Sequence, residues 1–225
     1  MANDYFQFRQ FCIHQSRCAM KVGTDGTLLG AWAHGGQRIL DIGTGTGLIA
    51  LMMAQRYSDA HVTGIDISEE AVAQAQENVA ASPFAERVDI LQRDVADYQA
   101  TEKFDAIVSN PPYFTDALHS PDKERTMARH TDTLTYRMLM DRSWQLLGDE
   151  GELSVVVPTD CKGLMESEAV LAGFFKCREW LVRTSERKPP KRCLLAFAKH
   201  PRSLERGEGA LNSAWYQELT KDFYL

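Results

Sequence analysis

The chain has 225 residues, 44% hydrophobic and 25% charged, with a net charge of −6. That is enough for one large domain with a sizeable core, and the acidic balance argues against a general nucleic-acid binder. No run of 18 apolar residues occurs, the longest apolar stretch being Gly47 to Ala54, so no membrane-spanning helix is expected. Asp4 and Arg9 stand in an N-terminus without an apolar h-region, and the five cysteines (Cys12, Cys18, Cys161, Cys177, Cys193) are scattered, with no C-x-x-C pair. These features speak against a secreted disulfide scaffold or a zinc site and for a cytoplasmic protein.

Strand and helix patterns then alternate. Arg38 to Ile42 reads as a short buried strand, followed beyond its glycines by an apolar helix from Leu48 to Tyr57. His61 to Asp66 is a second strand, and Ser68 caps a helix running to about Ala81. Arg87 to Leu91 and Phe104 to Ser109 are the third and fourth strands, and a loop poor in apolar pairs covers 110–133. A helix is predicted from about Thr135 to Leu147, a strand from Glu152 to Val157, and a weaker helix from about Thr159 to Phe174. Glu179 to Thr184 and Arg192 to Ala198 are two more strands, too close for a parallel crossover and hence a hairpin. A helix from Ala214 to Phe223 ends the pattern. Apolar strands alternating with helices predict an α/β fold, a seven-stranded, mostly parallel sheet with one antiparallel strand and helices on both faces. No repeat or Gly/Ser linker divides residues 1–225, which read as a single domain.

Asp41-Ile-Gly-Thr-Gly-Thr-Gly47 falls at a strand-to-helix junction, where open α/β sheets bind ligands. Gly43, Gly45 and Gly47 let backbone approach a ligand closely and permit positive φ. The spacing is G-x-G-x-G and not the G-x-G-x-x-G of dinucleotide enzymes, and Asp41 ahead of it repels a pyrophosphate but suits a cation. S-adenosylmethionine, with its sulfonium and α-ammonium, matches that charge. Asp66, 25 residues further on, ends the second strand where a carboxylate can accept from both ribose hydroxyls. Asp94 follows the third strand, placed to accept from an adenine amino group. Each has a plainer role available: a tight turn for the loop, a helix cap for Asp66, a turn cap for Asp94. Three such elements at successive strand ends nonetheless point together to S-adenosylmethionine, with Thr44, Ile67 and Val95 beside them.

The fourth strand ends in Asn110-Pro-Pro-Tyr113. Two prolines remove two backbone donors and leave carbonyls that can only accept. A planar amino group is a poor nucleophile because its lone pair is delocalised. Acceptors on both its hydrogens, the Asn110 side-chain oxygen and the Pro111 carbonyl, favour a pyramidal nitrogen, and Tyr113 can stack on a flipped base. Asn110, Pro111 and Tyr113 are the candidate catalytic set, Asn110 acting by orientation and electrostatics and counted also among the candidate cofactor-binding residues. No cysteine lies near residue 110, so C5 methylation of a pyrimidine has no nucleophile, and His119 and His130 lack metal-ligand spacing, so no metal is expected.

The glycine loop and Asn110-Pro-Pro-Tyr113 together resemble class I S-adenosylmethionine-dependent methyltransferases that act on planar amino groups. The likeness narrows with Phe6-Gln-Phe-Arg-Gln-Phe11, with Cys18 to Trp32, Gln74 to Asn78, Ser82 to Arg87 and Arg192 to Phe197, and with the ending Asp222-Phe-Tyr-Leu225. These make the chain similar to the bacterial tRNA1(Val) (adenine(37)-N6)-methyltransferase family. The resemblance implies a Rossmann-like fold and N6 methylation of the adenosine 3′ of the anticodon of a valine tRNA. It implies that residues 1–36 form an arm and helix over the cofactor, with Lys21 to Gly26 above it and Thr24 and Asp25 near its methionine end, and that 37–225 form the core.

A tRNA substrate needs phosphate contacts. Between Lys176 and Arg202 lie nine basic residues against Glu179 and Glu186, a net of +7 that leaves −13 for the remainder. Arg183, Arg187, Lys188 and Arg192 from this run, with Lys123, Arg125 and Arg129 from the loop, are the candidate tRNA contacts; a solvated hairpin tip is the bland alternative for the run. Two other functions compete: N5 methylation of a protein glutamine, which poses the same planar-nitrogen problem, and a silent cofactor-binding subunit. The short segment before the first strand disfavours the former, and intact Asp41, Asp66, Asp94 and Asn110 disfavour the latter. A monomer is the default expectation.

Overall fold

The computed structural model describes residues 4–17, 21–113 and 134–224. These begin with a small antiparallel hairpin, β1 (Tyr5–Gln7) and β2 (Cys12–His14), followed by helix α1 (Thr24–Trp32). Next come β3 (Arg38–Ile42), α2 (Leu48–Arg56), β4 (His61–Asp66), α3 (Glu69–Ala80), β5 (Val88–Gln92) and β6 (Phe104–Ser109). Helix α4 (Tyr136–Leu146), strand β7 (Leu147–Pro158) and helix α5 (Lys162–Ala172) lead to β8 (Phe175–Arg183), β9 (Pro190–Ala198), β10 (Glu205–Ala210) and α6 (Ala214–Thr220). The main sheet has the order β10-β8-β9-β7-β6-β3-β4-β5. Only β9 runs against its neighbours.

Successive strand residues feed opposite cores, as the pleat requires. Ile39, Ala106, Val108, Val156 and Leu194 join the core shared with α1, α2 and α3. Leu40, Ile107, Val155, Val157 and Leu195 join the other, with α4 and α5. Burial on both faces is why these strands read as continuous apolar runs. The caps behave as their residue types predict: Ser68 Oγ accepts from Ala71 N at 3.3 Å and Thr135 Oγ1 from Met138 N at 3.1 Å. No helix among the described residues is long and apolar enough to cross a membrane.

The expected α/β sheet with one antiparallel strand is present, but among the described residues it has eight strands, not seven. The eighth, β10, is Glu-Arg-Gly-Glu-Gly-Ala, polar and glycine-rich, with no apolar period to reveal it. Its composition answers to packing. A Cβ at Gly207 would lie 2.1 Å from the Trp180 ring, and one at Gly209 would lie 2.0 Å from the Trp215 ring. The two rings stack with centroids 5.8 Å apart. Three strands also start earlier than their sequence patterns, β7 at Leu147, β8 at Phe175 and β9 at Pro190. The separate β1–β2 hairpin has no counterpart in the predicted elements.

Strand order reverses between β3 and β6, so the loops after these two strands diverge and leave a crevice at their C-terminal ends. The β8–β9 hairpin reaches the same end, because Arg192 pairs with Pro158 at the end of β7.

Candidate active site

A cavity of about 840 Å³ occupies this crevice, lined by residues of the loops after β3, β4, β5 and β6, the start of α1 and the β8–β9 hairpin. The glycine loop is one wall. Gly43, Gly45 and Gly47 have φ of 72°, 56° and 80°. A Cβ at Gly43 or Gly45 would meet nothing within 4 Å, so both present bare backbone to open space, whereas Gly47 packs against Ala75 of α3.

The N–H groups of all four residues Gly43, Thr44, Gly45 and Gly47 are spent within the protein. Those of Gly43 and Thr44 donate to Ile65 O at 2.9 and 3.0 Å, and that of Gly47 to Thr44 O at 2.9 Å. Gly45 N donates to Asp66 Oδ2 at 2.9 Å. A phosphate cradle needs such donors aimed at the ligand. Here they face carboxylate and carbonyl oxygens, which suits a cation instead.

Asp41 lies beneath the loop and does not form part of the cavity wall, contrary to a direct role in meeting the ligand. Its Oδ2 accepts from Thr44 Oγ1 at 2.7 Å and from Ala50 N at 3.1 Å, bracing the turn. Its Oδ1 is buried with no hydrogen-bond partner among the described residues. Burial, helped by the nearby Asp66 charge, pushes the Asp41 carboxyl up to about 7 despite the two hydrogen bonds. The orphaned Asp41 oxygen is a spare polar atom below a loop with open space above it.

Asp66 is half-buried on the wall, with Oδ1 accepting from Ser68 N at 3.0 Å and Oδ2 from Gly45 N. Each oxygen keeps a second lone pair for a ligand hydroxyl. Asp94 caps its turn, Oδ1 accepting from Ala96 N at 2.8 Å, and also lines the cavity. Turn cap and ligand contact are thus compatible for both acids.

Opposite the glycine loop, Ser109 Oγ donates to Ile42 O at 2.8 Å and ties the end of β6 to β3. Asn110, Pro111, Pro112 and Tyr113 then form the facing wall. Tyr113 Oη contacts Asp25 Oδ2 at 2.5 Å and Asn110 Oδ1 at 3.0 Å. Arg192 Nε donates to the same Asp25 oxygen at 2.7 Å.

A family model described as the methyltransferase small domain matches residues 23–186. A tRNA1(Val) (adenine(37)-N6)-methyltransferase from Bacteroides thetaiotaomicron is 46% identical, the match covering 100% of this chain and 99% of the relative. The enzyme of that description from Erwinia tasmaniensis is 43% identical over 98% of this chain and 94% of its own length. The chain belongs to the tRNA1(Val) (adenine(37)-N6)-methyltransferase family. A predicted O-methyltransferase from Agrobacterium tumefaciens shares the fold, with a TM-score of 0.68 at 20% identity over 88% of this chain and 96% of that one. So does a glycopeptide N-methyltransferase complexed with S-adenosyl-L-methionine, with a TM-score of 0.58 at 13% identity over 80% and 90%.

In this methyltransferase the cavity gathers most of the residues singled out in the sequence: Lys21, Thr24 and Asp25; Gly43, Thr44 and Gly45; Asp66 and Ile67; Asp94 and Val95; Asn110, Pro111 and Tyr113; Arg183 and Arg192. Asp41 and Gly47 shape the wall from behind, and Arg187 and Lys188 lie outside the cavity on the exposed hairpin tip. Lys123, Arg125 and Arg129, like Cys18, His119 and His130, lie outside the described residues. Arg17, Arg93 and Lys191 also line the cavity. Arg93 and Lys191 had a signal, one beside Asp94 and the other inside the basic run, whereas nothing local marks Arg17.

The basic run is less cationic than its sequence suggests. Lys176 bridges Glu166 and Glu179, Arg178 pairs with buried Glu152, and Arg183 pairs with Glu208. Arg192 pairs with Asp25, Lys199 with Asp149 and Arg202 with Glu150. Arg187, Lys188 and Lys191 have no ion pair among the described residues, and all three are exposed. Among the described residues, the unpaired positive charge of the run shrinks to this hairpin tip.

Proposed function

We propose that this chain is a cytoplasmic enzyme that transfers a methyl group from S-adenosylmethionine to N6 of adenosine 37 in tRNA1(Val). The observation that carries the reading is the placement of Asn110-Pro-Pro-Tyr113 across one cavity from the glycine loop, in a chain matched over its whole length by relatives of that description. When bound, S-adenosylmethionine supplies an electrophilic methyl group on sulfur. Its ribose hydroxyls fit the spare lone pairs of Asp66, and its adenine amino group fits Asp94.

On the other wall, the Asn110 side-chain oxygen and the Pro111 carbonyl accept the two hydrogens of the target amino group. That draws the nitrogen lone pair out of conjugation and aims it at the methyl group. Tyr113 offers its ring face to the flipped base. Arg187, Lys188 and Lys191 at the hairpin tip supply phosphate contacts, which position the RNA without reading its sequence.

The reading is tested by incubating the protein with labelled S-adenosylmethionine and bulk tRNA lacking the modification, then digesting to nucleosides. Label in N6-methyladenosine is expected. Label absent from tRNA but present on a glutamine of an added release-factor protein would overturn the substrate and keep the cofactor.

A further inference from the structure

The Gln74-Ala-Gln-Glu-Asn78 stretch of α3 carries part of the family likeness, yet none of its residues lines the cavity. Gln74, Glu77 and Asn78 share one face of the helix by their spacing of three and four. That face meets the N-terminal segment. Glu77 Oε1 pairs with the Arg17 guanidinium at 2.9 Å. Gln74 Oε1 accepts two long bonds, from Ser16 Oγ at 3.5 Å and Arg17 N at 3.4 Å. Gln76 instead donates to Ile90 O of β5 at 2.9 Å.

Asn78, only 1% exposed, bonds in two directions. Its Oδ1 accepts from His14 N at 2.9 Å, and its Nδ2 donates to His14 O at 2.8 Å. His14 ends β2 opposite Tyr5, and the next residue, Gln15, turns its N–H inward to Asp4 O at 2.9 Å. Peptide groups alternate in direction along a strand, so those of His14 point out of the hairpin. The Asn78 carboxamide completes them as a third strand would. Its other amide hydrogen goes to Thr46 O, inside the glycine loop, at 2.9 Å. One buried side chain therefore ties the N-terminal arm to the glycine loop. Beyond His14, Arg17, Lys21 and Thr24 line the cavity, and Gln15 Oε1 accepts from Val22 N at 2.7 Å, which closes that segment on itself. An arm without its anchor would be ordered only as a ligand binds, and that ordering cost would lower the affinity.

We propose that Asn78 is a positioning residue for cofactor binding: it fixes the N-terminal arm at His14 to the glycine loop at Thr46, and so presets the two sides between which S-adenosylmethionine is held. The inference rests on the reading of this cavity as the cofactor site. It acts on binding and leaves the wall that carries Asn110 untouched.

Asn78→Asp keeps the size of the side chain but brings at most one hydrogen to the two carbonyls, and Asn78→Ala brings none. Both should raise the Kd for S-adenosylmethionine roughly tenfold or more. At saturating cofactor, kcat on tRNA should stay within about twofold of wild type, with KM for tRNA unchanged. His14→Pro removes only the N–H that Asn78 Oδ1 accepts, on a hairpin edge where proline is tolerated, and should raise the Kd by a smaller factor. It serves if the Asn78 variants unfold. Because both changes act on one tie, Asn78→Ala combined with His14→Pro should bind the cofactor no worse than Asn78→Ala alone. Each variant is first shown to melt cooperatively without ligand, then titrated with S-adenosylmethionine by calorimetry and assayed for N6-methyladenosine in tRNA. Wild-type Kd in Asn78→Asp, or in His14→Pro where the Asn78 variants do not fold, would overturn the proposal. So would additive losses in the double variant, or a fall in kcat at saturating cofactor that exceeds the rise in Kd. A wild-type protein that binds no S-adenosylmethionine would instead sink the reading on which it rests.

Discussion

The two walls of the cavity are built in different ways. The glycine-loop wall comes from the contiguous stretch between Asp41 and Val95, and its bonds are short in sequence: Asp41 to Thr44 and Ala50, Asp66 to Gly45 and Ser68, Asp94 to Ala96. The facing wall joins Asp25, Asn110, Tyr113 and Arg192, separated by up to 167 residues. The first wall is a local motif whose shape follows from glycines and carboxylates at strand ends. The second exists only once the sheet has brought α1, β6 and β9 together. Binding and chemistry are thereby placed on separable supports, and variants on each wall should fail in different ways.

Asn110→Ala should have the largest effect. Losing the amino acceptor should lower kcat roughly 10²- to 10³-fold, in the range seen when one preorganised polar group is removed from a reacting centre. A single-turnover rate near wild type would break the division between the walls. Asp66→Ala acts on the other wall, where the loss of hydrogen bonds to a charged acceptor should weaken S-adenosylmethionine roughly 10- to 100-fold. Unchanged affinity would remove the ribose role. The hairpin tip belongs to neither wall. Arg187→Ala with Lys188→Ala should raise KM for tRNA, leave cofactor affinity alone, and reduce the salt slope of tRNA binding by about one per residue. A salt slope equal to wild type would take the tip out of the RNA interface.

The remaining prediction reads stability, not binding or rate, and concerns what lies under the glycine loop. In the fold Asp41 holds its proton up to about pH 7, whereas in the unfolded chain it loses it near 3.8. The stability from this difference is full below about pH 4 and is lost as the pH rises through 7, at no more than about 1.4 kcal/mol per pH unit. Asp41→Asn should remove that contribution, as read by chemical denaturation at several pH values between 4 and 8. A variant that keeps the wild-type pH dependence would show that Asp41 is ionised beneath the loop.

What could be read in the sequence follows the same division. The strand ends Ile42, Asp66 and Ser109 and the cap Ser68 were legible because apolar period and capping chemistry act over a few residues. The polar strand β10 was not, since its place beside β8 depends on Trp180 and Trp215 filling the space over Gly207 and Gly209. Among site residues, Asp41 was legible as an acid before glycines, but its burial below them was not, because side-chain direction is set by the sheet. The basic run misled through its sum. Its arginines and lysines find Glu152, Glu166, Glu208 and Asp25 across the fold, and only the hairpin tip keeps its charge unpaired among the described residues.

The most direct test of separable walls is a calorimetric titration of S-adenosylmethionine into Asn110→Ala beside a measurement of its kcat on tRNA. The account predicts a dissociation constant equal to wild type within about twofold, against a kcat lowered by orders of magnitude. A loss of cofactor affinity large enough to explain the loss of rate would contradict it, and would make Asn110 part of the cofactor's own wall.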